Sequence, residues 1–234
     1  MENQPKSSLD LSAEKGNPKK NIKNWNDKRK DKSFLESYFT KAGNRFSFKP
    51  NREISDYLHI YLAMTDEGEL NFYFIEENDD KQKKNDWLSK TAISPHKEPL
   101  PSNLLENSID HAAKLPYEKV AKWVENWNDD KIRGEWIEAH FSSKSENNTI
   151  MLAFGIDSSD FVVGTKHECF LALKKVNSKY VADIVVYNTD NFKILNSQNT
   201  IDTADSSYED LARPVPPFGG DYNDYGVLVE LDIK

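Results

Sequence analysis

The tetrad Asn-Trp-Asn-Asp occurs twice, at residues 24–27 and 126–129, each time at the end of a helical pattern. In the second copy Val120, Trp123, Val124 and Trp127 recur at i, i+3, i+4 and i+7, so they share one helix face. Pro116 suits a first helical position and Glu118 a first turn. In the first copy the pattern starts near Lys19 and carries Ile22 and Trp25. Phe34, Leu35, Tyr38 and Phe39 follow at 3/4 spacing, on a stretch either continuous with the first helix or broken by the charged run from Asp27 to Lys32. Gly43-Asn44 ends it. A repeated helix raises the question of a repeated domain before any other.

The residues after each tetrad support a repeat at the level of sequence. Residues 24–39 align with 126–141 without a gap and share six of sixteen residues, with Phe34/Trp136 and Leu35/Ile137 keeping their character. Arg45 to Lys49 alternates and reads as a strand, and Thr149 to Gly155 stands in the same place after the second helix. Leu58 to Met64 and Glu69 to Ile75 read as a hairpin across Thr65-Asp-Glu-Gly68. Leu70, Phe72 and Phe74 share one face of it, and Asn71, Tyr73 and Ile75 the other. His167 to Leu173 and Lys179 to Tyr187 mirror that hairpin, with Asn177-Ser178 as the turn and Leu-Ala common to 62–63 and 171–172.

The expected fold is therefore α+β, an internal duplication of a unit with one or two helices on a small antiparallel sheet. Residues 1–18 form a disordered lead-in, 19–95 the first unit, and 96–234 the second unit with a Pro-rich tail. Trp87 and Leu88, in the charged connection 76–103, dock on a surface. Residues 188–205 read as loop, Arg213-Pro-Val-Pro-Pro217 as an extended polyproline-like path, and Val227 to Ile233 as a closing strand added to one sheet. The two sheets are expected side by side about a pseudo-twofold.

Composition narrows the function classes. The acidic excess behind the formal charge of −8 sits in residues 101–234, and an acidic surface there repels a phosphate backbone. The basic excess near the N-terminus reads as a solvated tail, so nucleic acid is not expected as a partner. No apolar run approaches membrane-spanning length, and residues 1–6 carry no secretory hydrophobic stretch, so a cytoplasmic protein without membrane contact is expected. Cys169 is the only cysteine, which excludes an intrachain disulfide and fits a reducing compartment.

Few residues carry chemistry at a recognised spacing. The histidines are His59, His96, His111, His140 and His167, and none forms a metal-binding pattern with its neighbours. Glu138 and His140 point apart on a helix. His167 and Cys169 share a strand face and could pair as base and nucleophile, but Cys169 aligns with Ile60, a core position. Asp157 and Asp160 flank Ser158-Ser159 and read as a cap or turn rather than an acid/base pair. Trp25 and Trp127 could stack on a ligand, but their helical phase favours the core. Asp221-Tyr-Asn-Asp-Tyr-Gly226 is a partial calcium-loop pattern in which Tyr225 takes the place of an oxygen ligand, so neither a metal nor another cofactor is expected.

Val120-Ala-Lys-Trp-Val-Glu-Asn-Trp, Leu152-Ala-Phe-Gly-Ile-Asp, Phe170-Leu-Ala-Leu and Tyr208-Glu-Asp-Leu-Ala-Arg-Pro-Val-Pro-Pro succeed one another in order. This order resembles a loose group of small uncharacterised bacterial proteins with a helix ending Asn-Trp, an Ala-Phe strand and a third strand of the Arg-x-Tyr-Leu-Gly type. The resemblance spans about residues 115–217 and, more faintly, 20–80; Glu168 and Phe170-Leu-Ala lack that strand's Arg and Gly. It implies no activity. The expected function is a non-catalytic binding or protein-interaction protein, with a basic protein as partner. Tyr208, Phe218, Asp221, Tyr222, Asp224 and Tyr225 are the candidate partner-binding residues. The alternative is a small hydrolase or metal-dependent enzyme with a site between the two units, built from His140, His167 and nearby Asp residues.

Overall fold

The computed structural model describes residues 17–84, 86–88, 95, 117–142, 150–161, 163–188, 193–195, 213–215 and 224–233. They form α1 (Pro18–Lys28), α2 (Lys32–Lys41), β1 (Arg45–Phe48), β2 (Tyr57–Met64), β3 (Leu70–Glu76) and α3 (Glu77–Lys81). These are followed by α4 (Tyr117–Asn128), α5 (Asp130–Ser142), β4 (Ala153–Asp157), β5 (His167–Val176), β6 (Lys179–Asn188), β7 (Lys193–Leu195), β8 (Arg213–Val215) and α6 (Gly226–Glu230). The protein is α+β, with helices against two antiparallel sheets.

Local chemistry sets the helix boundaries. The Asn17 side chain accepts from the Lys19 and Lys20 amides at 3.1 and 3.3 Å, and Pro18 takes the first turn, where its missing N–H is not needed. The charged run does break the helical stretch. Arg29 is buried, its Nε donating to Asn26 Oδ1 (3.1 Å) and its Nη1 to the Ile150 carbonyl (2.6 Å), and Asp31 caps α2 through the Phe34 amide. In the second pair Asp129, the last residue of the tetrad, accepts from the Lys131 and Ile132 amides and starts α5. The hairpin turns are as expected: Gly68 has φ 86°, and Asn177 and Ser178 have φ 46° and 68°, the pair of positive values a tight two-residue turn requires.

One sheet has the order β1-β5-β6-β7, the other β3-β2-β4-β8. Each hairpin, β2–β3 and β5–β6, thus takes its next strand from the other half of the chain. Strand β1 lies against β5, with Phe46 opposite Cys169 and Phe48 opposite His167. Strand β4 lies against β2, with Phe154 opposite Ile60 and Ile156 opposite Leu58. The short incoming strands leave the longer ones uncovered at one end. There the Leu62 amide still reaches Leu152 O (2.9 Å) and the Leu171 amide reaches Asn44 O (2.8 Å). Two residues further on, the carbonyls on that edge are taken by the first asparagine of each tetrad: Asn24 Nδ2 donates to Met64 O (3.2 Å) and Asn126 Nδ2 to Leu173 O (3.0 Å). The repeated asparagine is thus a cap on a strand edge.

The sheets pack face to face rather than side by side. Phe46 stacks on Phe72 at 4.3 Å between ring centroids and Phe48 on Phe74 at 4.2 Å, joining β1 of one sheet to β3 of the other. Leu58, Ile60, Leu62, Phe154, Cys169, Leu171 and Ile184 are fully buried with them. Helix α1 packs on β2 and α4 on β5. The two helix pairs meet at Phe39, whose ring lies 5.8 Å from Trp25, 5.2 Å from Trp127 and 6.2 Å from Trp136. Trp25 also donates its indole N–H to Met151 O at 2.9 Å.

Several expectations need correction. Val227 to Ile233 is not a closing strand: residues 226–230 form the short helix α6, which buries Val227 and Leu228 and exposes Val229, while Ile233 folds back into the core. A run that is apolar at successive positions fits a buried helical turn as well as a strand. Strand β4 starts at Ala153 rather than Thr149, because the carbonyls of Ile150 and Met151 are occupied by Arg29 and Trp25. Residues 193–195, within the expected loop, pair with β6, and Arg213–Val215 pairs with β4 as well as being extended. Pro214 is tolerated because β8 is an edge strand. Trp87 docks as expected, against Tyr61 and Tyr73.

Phe39→Ala removes the ring that joins the two helix pairs. It is expected to cost about 3–5 kcal/mol in chemical denaturation, the range for a buried aromatic truncation.

Candidate functional site

The most concentrated polar chemistry lies on the outer face of β2. Alternation along the strand places Leu58, Ile60 and Leu62 in the core and His59 and Tyr61 outward. Helix α3 begins directly after β3 and carries Asp80 over that face. Its carboxylate accepts from His59 Nδ1 (2.7 Å) and Tyr61 Oη (2.5 Å) through one oxygen and from the Val227 amide (2.8 Å) through the other. Both side-chain bonds are made when His59 carries its proton on Nδ1. Tyr225 stacks on His59 at 4.0 Å between centroids.

Two glycines make this packing possible. Gly155 is paired with His59 across the strands, and a Cβ there would come 2.7 Å from the Tyr225 hydroxyl. A Cβ on Gly226 would run into the Asp80 backbone carbonyl. Lys81–Asp224 (3.2 Å) and Lys19–Glu230 (2.5 Å) close the rim. His59 is 2% exposed, Tyr61 and Asp80 are 0% exposed, and burial together with the Asp80 charge pushes the Tyr61 hydroxyl far above the ordinary tyrosine range. A carboxylate orienting a histidine is also how an enzyme prepares a general base. Here the same carboxylate ties α3 and the C-terminal segment to the sheet.

The outer face of the other sheet has its own polar group. Glu168 on β5 is buried and accepts from Arg45 Nε (3.0 Å) and Ser47 Oγ (2.8 Å), with Lys166 Nζ at 2.7 Å from its second oxygen. Burial alone would raise its pKa, but the bonds from Lys166, Arg45 and Ser47 together outweigh it and hold the carboxyl below the usual glutamate range. Arg45 also covers the Phe170 ring. Further along the strands Lys174 and Asp183 form a buried ion pair at 3.0 Å. Cys169 faces the core, where burial, reinforced by the Glu168 charge, pushes its thiol far above the ordinary value.

Of the six candidate partner-binding residues, Tyr208, Phe218, Asp221 and Tyr222 lie outside the described residues, as do His96 and His111. Asp224 is paired with Lys81, and Tyr225 is buried against His59. His140 turns its Nδ1 to the Trp136 carbonyl of its own helix (2.6 Å), and burial lowers its pKa. His167 is buried against Phe161, Asp160 is buried in a short 3-10 turn and Asp157 ends β4. Among the described residues no group of three His, Cys, Asp or Glu side chains is placed to hold a metal ion, and no helix is long and apolar enough to cross a membrane. The Asp80 cluster escaped sequence reasoning because Glu76-Glu-Asn-Asp-Asp80 reads as a solvated run. The one signal in the sequence was a histidine inside an otherwise apolar strand.

Compared with family models, with curated proteins and with solved structures, the chain matches none.

Asp80→Ala leaves three buried donors without their acceptor. A loss on the order of 3 kcal/mol is expected, together with faster amide exchange across residues 224–233, read by hydrogen-exchange mass spectrometry. Glu168 gives a pH test. Its folded pKa is depressed, so its contribution is complete above the unfolded value of about 4.3 and is lost as pH falls through the lower folded value. Urea denaturation between pH 7 and pH 3 should therefore show a shallower acid loss of stability in Glu168→Gln than in the parent.

Proposed function

We propose that the protein is a non-catalytic binding protein whose partner is a basic protein, and that it works in the cytoplasm. The observation behind this reading is where the reactive groups sit. His59, Asp80, Tyr61, His167 and Cys169 are all buried, and Asp80 is occupied in holding the fold together. A general base needs a route to its substrate's proton, and a nucleophile needs a depressed pKa; the Cys169 thiol is shifted the opposite way. What the molecule offers a partner is its surface, and the formal charge of −8 favours a cationic one. On α4, α5 and the Asp129 between them the exposed acidic residues include Glu118, Asp129 and Glu135, together with Glu125, Asp130 and Glu138, which are paired with Lys122, Arg133 and Lys32. A cytoplasmic setting suits the single, buried cysteine.

Affinity capture from the source cell at low salt, repeated at high salt, tests this reading. A basic protein retained in the first condition and released in the second is expected, since exposed charge pairing is screened. Turnover of ester, phosphate or glycoside substrates by the purified protein, abolished by His59→Ala in a folded variant, would contradict it. So would a melting temperature that rises with zinc or calcium and falls back with EDTA.

A further inference from the structure

We infer that the chain is a fused pair of one helix-and-sheet unit whose first strands have been exchanged, so that the open edge of each hairpin is a docking site for the first strand of the other half. The pairings carry this position by position. Leu58 faces Ile156 as His167 faces Phe48; His59 faces Gly155 as Glu168 faces Ser47; Ile60 faces Phe154 as Cys169 faces Phe46; Tyr61 faces Ala153 as Phe170 faces Arg45. The last backbone bond of each pairing, Leu62 N to Leu152 O and Leu171 N to Asn44 O, falls at matching positions. So do the side-chain caps beyond it, Asn24 to Met64 O and Asn126 to Leu173 O. These matches agree with the alignment from the tetrads and from the shared Leu-Ala, which uses side-chain identity alone. Chance similarity of two small sheets would not reproduce register, the direction of the edge groups and the capping residue together, since a one-residue slip reverses every face.

The exchange has a physical consequence. In each half the helices pack on their own hairpin, α1 on β2 and α4 on β5, while the strand between helix and hairpin crosses to the other sheet. The halves are interlocked by two strand pairings, by the Phe39–Trp127 and Phe39–Trp136 contacts and by the bonds from Trp25 to Met151 O and from Arg29 to Ile150 O. Two separate chains joined this way would be an isologous, strand-exchanged dimer. The covalent link between the halves is therefore dispensable, and the partner for which each half's open edge is shaped is the other half.

Cutting the full-length chain tests this. A protease site is inserted within residues 96–116 at a position that leaves the melting of the uncut chain unchanged, and the folded protein is then cleaved. The two fragments should co-elute at the size of the uncut chain. They should melt in one transition whose midpoint falls on dilution, because unfolding is now also dissociation. Fragments that separate under native conditions, or that melt in two concentration-independent transitions, would overturn the proposal. A second measurement uses the uncut chain: Asn24→Ala and Asn126→Ala should lower the melting temperature by similar amounts. A drop from only one of them would break the equivalence of the two caps and count against the duplicated unit.

Discussion

The two long hairpin strands, β2 and β5, cannot complete their hydrogen bonding within their own half of the chain. Each is paired on one side by its hairpin neighbour and on the other by a strand from the opposite half. Buried backbone groups left without partners cost as much as lost hydrogen bonds, so on the interlocked account each sheet relies on the opposite half to complete the buried edge of its long strand. The facing aromatic stacks depend on that arrangement, because β1 faces β3 of its own half only by lying in the other sheet, and the Phe39 junction draws its rings from helices of both halves. Even the boundary of β4 is set by it: Trp25 and Arg29 take the carbonyls just ahead of the strand and so decide where it starts.

Both sheets keep polar groups on their outer faces, but the two halves use them differently. Where β2 has His59 opposite Gly155, β5 has Glu168 opposite Ser47. The missing side chain at Gly155 leaves room for Tyr225, and through it the C-terminal segment is stacked on His59 and bonded to Asp80. The Ser47 hydroxyl instead donates to Glu168, which is held between two cations. One face is thereby closed by a piece of the chain and the other by an ion-pair network. The histidine and carboxylate that look most like catalytic parts are on the closed face, which favours a function exercised through the outer surface.

Much of the secondary structure was legible because it rests on local signals. The helical spacing of Trp123, Val124 and Trp127, the alternation in Leu58 to Met64, and the turns at Gly68 and Asn177-Ser178 are each set by a few neighbouring residues. Strand partners beyond the two hairpins were not legible, since alternation shows which face is apolar and says nothing about which outer edge a strand will join. The face-to-face packing was missed for the same reason. The segment Val227 to Ile233 misled because its apolar run suits a strand and a buried turn equally, and what decides between them is the Asp80 carboxylate, distant in sequence. Asp80 itself was hidden inside an acidic run, where composition points to solvent and only the packing of α3 on β2 points to burial.

Native-state hydrogen exchange measures the dependence of one sheet on the other most directly. The amides of Leu62 and Leu171, one at the edge of each hairpin, should exchange with the same opening free energy, equal to that of global unfolding, because neither edge can open while the other half stays folded. A Leu171 amide protected to the global limit while Leu62 opens several kcal/mol more easily, or the reverse, would mean that one sheet stands without the other and would contradict the interlocked account.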